Sequence, residues 1–122
     1  MTLATSAAAT VIDNGDFVMT PLAVPSRGSV QLAMWTVTAT GPSRSPVHSV
    51  DHEEVFYVQS GTFTATIDGV EHTAGPGDAL MCPPGVPFFL ASGEEGAVVV
   101  AVTTAGMKGM LNGNVISPPW AR

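Results

Sequence analysis

His48-Ser-Val-Asp-His52-Glu53-Glu54-Val-Phe-Tyr-Val-Gln-Ser-Gly61 holds two of the chain's three histidines and an adjacent pair of carboxyls. It runs directly into a β-prone segment, Glu53 to Gln59 (EEVFYVQ). On an extended strand Glu54, Phe56 and Val58 share one face, and Glu53 and Tyr57 share the other. Ser60-Gly61 then reads as a turn into Thr62–Ile67 (TFTATI). Asp68-Gly69 follows, one of the stronger hairpin signals a sequence offers.

Working outward, the same rhythm continues. Val70 to Ala74 returns, Gly75-Pro76-Gly77-Asp78 turns, Ala79 to Cys82 is a short apolar strand, and Pro83-Pro84-Gly85 turns into Val86–Ala91. Ser92–Gly96 reads as a loop before Ala97–Thr103 (AVVVAVT), an apolar run fit for burial. Upstream, Ser29 to Ala39 (SVQLAMWTVTA) is a strand, with Thr40 to Pro46 a turn cluster and Asp16 to Ala23 a shorter β-prone run. Strands recurring about every ten residues, with no helical period between them, predict an all-β sandwich or barrel. Residues 1–14 are expected to be a flexible arm, 15–122 a single domain, and the segment from Ala105 onward a tail. Trp120 in that tail is expected to pack back on the body.

Composition fits one small globular domain. At 122 residues, 45% apolar and 11% charged, the chain can bury one core and is not a disordered sequence. Thirteen Gly and ten Pro suit many short strands joined by turns. The net charge of −6 offers no basic stripe to meet phosphates, so neither nucleic acid nor an anionic membrane surface is an expected partner. No stretch reaches the roughly 18–20 apolar residues of a membrane span. A single cysteine, Cys82, excludes an internal disulfide framework and suits a reducing cytoplasm.

Residues 48–61 resemble the first motif of the cupin superfamily, in which a His-x-His pair precedes a Glu and then a Gly seven positions on; Glu54 and Gly61 have that spacing. Gly77-Asp-Ala-Leu-Met-Cys-Pro83-Pro84-Gly85-Val-Pro-Phe88 resembles the second motif, in which Pro-x-Gly is followed after two residues by a His. The resemblance implies a double-stranded β-helix, or jelly-roll β-barrel, of the RmlC-like kind, open at one end and commonly a homodimer. It also implies a site for one divalent metal held by three His and one Glu. His48 and Glu54 occupy two of those four positions, whereas Val50 and Phe88 stand at the others and have no lone pair to donate.

His52 decides what that site can be. On a continuous strand it shares a face with His48, Val50 and Glu54, giving a two-His, one-carboxylate set suited to Fe, Mn, Ni or Zn. A bend between His48 and Glu54 removes it from that face and leaves no metal set. The candidate site is therefore His48, His52 and Glu54, as metal ligands or as general acid and base. Trp35, Val50, Phe56 and Phe88 are the expected walls of a pocket for an apolar or aromatic small molecule. Acid–base equipment of this kind suits an isomerase, cyclase, dehydratase or decarboxylase. A non-catalytic binding or sensing barrel and a metal-dependent oxygenase are the alternatives. Cys82 has no base placed in sequence to activate it, and Met107 and Met110 flank a glycine-rich stretch that is either a flap or an ordered tail.

Overall fold

The computed structural model describes residues 2–122. The strands are β1 (Ile12–Asp13), β2 (Val18–Pro21), β3 (Leu32–Ala39), β4 (Ser43–Arg44), β5 (Ser49–Val50), β6 (Glu54–Ile67), β7 (Val70–Ala74), β8 (Ala79–Cys82), β9 (Phe88–Thr104), β10 (Gly109–Leu111) and β11 (Asn114–Ile116). Two short 3₁₀ turns, Pro25–Arg27 and Pro119–Ala121, are the helical elements. Among the described residues no helix is long and apolar enough to cross a membrane. The fold is all-β, as the turn spacing predicts, and a jelly roll, as the cupin resemblance implies.

The main sheet runs β1-β2-β3-β9-β6-β7, with β4 paired to β9 and β8 to β6. A separate small sheet runs β11-β10-β5. The Asp68-Gly69 turn joins β6 to β7, with both residues at positive φ as a type I′ turn requires. Period-two burial then builds the interior. Ala33, Trp35 and Val37 of β3, Phe56, Val58 and Phe63 of β6, and Val99 and Ala101 of β9 all point inward.

Two strands are longer than the turn signals suggest. Ser60-Gly61 and Ser92–Gly96 were expected to separate strands, yet β6 and β9 run through both and stay paired from Val55↔Val102 to Ile67↔Phe88. Gly61 and Gly96, at φ +74 and +72, sit in register shifts of the β6–β9 ladder and bend it without reversing the chain. The bend lets the first half of β6 pair with β8 and its second half with β7. One ribbon thus serves both ends of the barrel.

The N-terminal arm is partly tied down. Ile12 and Asp13 pair with β2, and the Arg27 guanidinium donates to the Thr5 carbonyl at 2.6 Å and to the Pro21 carbonyl at 2.7 Å. The C-terminal tail is more structured than expected, because β10 and β11 close a hairpin over Asn112-Gly113. Trp120 packs against the core as anticipated, and Ala121 beside it is buried.

Candidate functional site

The barrel encloses a cavity of about 300 Å³. Its walls come from Phe17 and β2, from Trp35 and Val37 of β3, from Val50 of β5, from Glu54 and Phe56 of β6, and from the C-terminal tail. Of the expected wall residues, Trp35, Val50 and Phe56 line it. The surface is mostly apolar; its polar residues are Asn14, Asp16, Ser45, His48 and Glu54, so the expected base and acid, His48 and Glu54, both line it.

Glu54 begins β6 directly opposite Cys82 of β8, and only 4% of it is exposed. Burial pushes its carboxyl up to about 8, with no donor or cation offsetting the lost hydration. At neutral pH it is therefore mainly a neutral acid able to donate a proton. Cys82 stands in the same dry environment. Burial and then the charge of ionised Glu54 push its thiol up to about 12, so it is a packing residue and not a nucleophile.

His48 is held just ahead of β5 by reciprocal backbone bonds with Phe88, at 2.9 and 2.8 Å. Its Nδ1 lies 2.9 Å from the Pro46 carbonyl oxygen. A carbonyl only accepts, so Nδ1 carries the hydrogen, and Nε2 is left with a lone pair in the neutral ring. Burial lowers the pKa of this imidazole, partly opposed by the Pro46 bond. His48 is thus a neutral base on a cavity wall that also carries a neutral acid.

His52 is not on that wall, a departure from the strand alternation expected above. Residues 51–53 bend between β5 and β6. The Asp51 N–H donates to the Lys108 carbonyl at 3.0 Å, and the Lys108 N–H donates to Asp51 Oδ1 at 2.7 Å. The bend turns His52 outward, where its Nδ1 pairs with Asp51 Oδ1 at 2.9 Å and its side chain is 44% exposed.

Phe88 also differs from expectation. It is fully buried, but it packs behind His48 at a centroid separation of 4.3 Å and beside Phe56 at 6.4 Å, not on the cavity surface. Its ring holds the imidazole in place from the back.

This donor set does not fit a metal ion. Val50 and Phe88 replace two nitrogen donors, and His52 faces away. No group of three or more His, Cys, Asp or Glu that could hold an ion occurs among the described residues. His48 and Glu54 alone supply two donors, fewer than a stable site needs.

The Cupin domain family profile matches residues 34–103, over half of the chain. The chain belongs to the cupin family. Its fold is similar to that of an RmlC-like cupin from Shewanella frigidimarina, at 20% identity and a TM-score of 0.73, covering 85% of this chain and 90% of that one. The polyketide cyclase RemF from Streptomyces resistomycificus has 17% identity and a TM-score of 0.76, with 88% and 81% covered. Bacillus subtilis oxalate decarboxylase, a protein with Mn(II) centres, has 20% identity and a TM-score of 0.77, covering 87% of this cupin but only 30% of the decarboxylase. No curated protein sequence matches this cupin. At such identities the likeness concerns the fold, and function rests on the cavity.

Several cavity residues escaped the sequence reading. Met19 and Leu90 carry no chemical signature that separates lining from core. The tail residues Leu111 and Ile116 follow from the Asn112-Gly113 hairpin signal, which was available but unused in a stretch read as tail.

Proposed function

We propose that this cupin is a metal-independent acid–base enzyme acting on a small apolar or aromatic carbonyl compound, by isomerisation, cyclisation, dehydration or decarboxylation. The observation that carries the reading is a neutral Glu54 and a neutral His48 on the wall of one apolar cavity. His48 Nε2 takes a proton from the carbon next to a carbonyl, and Glu54 gives its proton to the carbonyl oxygen, forming an enol. Reversal with the protons returned elsewhere completes an isomerisation. No electron leaves or arrives.

The test is carbon-bound hydrogen exchange of 2-tetralone, a neutral aromatic ketone, followed by NMR in D₂O. The cupin is expected to accelerate replacement of the α-hydrogens. Glu54→Gln should lower that rate at least about 100-fold while the ketone still binds. Exchange that is unchanged in Glu54→Gln would end the proposal. Binding without exchange in either protein would favour a non-catalytic carrier or sensor, a reading supported by the scarcity of polar groups on the cavity wall.

A second copy is the partner we propose. Leu32, Met34, Val55, Tyr57, Met81, Val100 and Val102 form the outer face of β3, β9, β6 and β8, aligned as Met34↔Val102↔Val55↔Met81 across four strands. Leu32, Tyr57 and Met81 are 59%, 45% and 64% exposed. The face carries no charge in a chain of net −6, so an oppositely charged partner has nothing to grip. Two like-charged copies can still meet there about a two-fold axis. A reducing compartment such as the cytoplasm suits the lone buried thiol of Cys82.

A further inference from the structure

One wall of the cavity is built unlike the others. Residues 107–120 cross its mouth as a strap, contributing Met107, Leu111, Ile116, Pro118 and Trp120 to the lining. At its start the strap is fixed by the paired Asp51 and Lys108 bonds. At its far end the Arg122 carbonyl accepts from Ser26 Oγ at 2.7 Å and from the Ser26 N–H at 3.2 Å, and Ala121 is buried.

Between those anchors the attachment is slight. β10 pairs with the barrel only through β5, at Gly109↔Val50 and Met110↔Ser49. β11 pairs only with β10, and all three of its residues are exposed. Nothing in β11 belongs to the buried core. A hairpin with one two-residue seam and a free outer edge has little to hold it closed, and such segments open well below the free energy of global unfolding. Its apolar residues Val115, Met110 and Ile116 are 65%, 40% and 38% exposed, and Met110 and Ile116 line the cavity, so an apolar ligand there would cover part of their surface.

We propose that residues 107–120 are a hinged strap that opens between its two anchors to admit the ligand, and that Leu111 and Ile116 set the largest ligand over which it can close. The proposal rests on the reading of the cavity as a site for an apolar compound. The cavity of about 300 Å³ lies at the small end of the usual range for ligand sites. That is room for about ten water molecules at liquid density. A rigid rod of three fused rings, one ring longer than a two-ring compound, would be the first of the two to meet the strap.

The experiment has two arms. In the first, amide hydrogen exchange of the ligand-free protein should be at least about 100-fold faster over 110–116 than over 99–103. Equal protection of the two segments overturns the strap, whatever binds in the cavity. In the second, equilibrium dialysis compares 2-naphthol with 2-hydroxyanthracene. Wild type should prefer the two-ring probe. Leu111→Ala with Ile116→Ala should shift the preference toward the three-ring probe, raising its affinity relative to that of 2-naphthol at least about 10-fold. No relative gain for the three-ring probe overturns the size limit, and the single variants repeat the comparison if the double variant fails to fold. Failure of both probes with every variant, alongside fast exchange over 110–116, would count against an apolar ligand site and leave the strap standing on the first arm.

Discussion

Glu54 costs the fold stability in a pH-dependent way, and the sign follows from its raised pKa. In the unfolded chain a glutamate ionises near 4.3, whereas burial holds the folded carboxyl at about 8. Between those values the folded state binds the extra proton, so the stabilisation present at low pH is lost as pH rises, by up to about 1.4 kcal/mol per unit. His48 runs the other way. Its lowered pKa gives stability present above about 6.5 and lost as pH falls through the folded value. The thermal midpoint should therefore fall by at least about 5 °C between pH 5 and pH 8. Glu54→Gln, an uncharged mimic of the protonated acid, should match wild type at pH 5 and exceed it at pH 8. Parallel melting curves for the two proteins across that range would contradict this account of Glu54.

The elements show where period and turn chemistry suffice and where they do not. The β6–β7 hairpin over Asp68-Gly69 was legible because the turn residues specify one geometry. Ser60-Gly61 and Ser92–Gly96 were misread because glycine at positive φ serves a bulge as well as a reversal, and only the pairing partner distinguishes them. His52 was misplaced for a related reason. Its orientation depends on a bend held by Lys108, 56 positions away in the chain, and strand alternation carries no information about that contact. Phe88 was read as a cavity wall at the lost ligand position, whereas the layer it occupies is set by the His48 ring in front of it. At the bulge the consequence is measurable. A Cβ on Gly96 would run into the Ala39 carbonyl, at a φ that side chains rarely adopt. Gly96→Ala should lose on the order of 3 kcal/mol in urea titration. Gly93→Ala, in open space a few residues away, should stay within about 0.5 kcal/mol. Similar losses at both positions would mean that the ribbon does not depend on this bend.

On the scale of the whole molecule, the apolar outer face and the cavity lie on opposite sides of the same strands, since alternate residues of β3 and β6 serve each. Association of two copies would therefore leave the strap free. Light scattering should give twice the 12.5 kDa chain mass at about 100 μM. Met81→Asp, which places a carboxylate at the exposed end of the apolar row, should return the protein to a single chain with its fold intact by circular dichroism. A wild type that scatters as a single chain at that concentration would rule out the interface.

Trp35 and Trp120 are the chain's only two tryptophans, one on a barrel strand and one at the end of the strap, and both border the cavity. The molecule thus carries two intrinsic fluorophores that sample the same enclosed volume from a fixed and a tethered position. Replacing one indole by phenylalanine leaves the other as a single optical probe, so occupancy and wall movement can be followed as separate emission changes without any attached label.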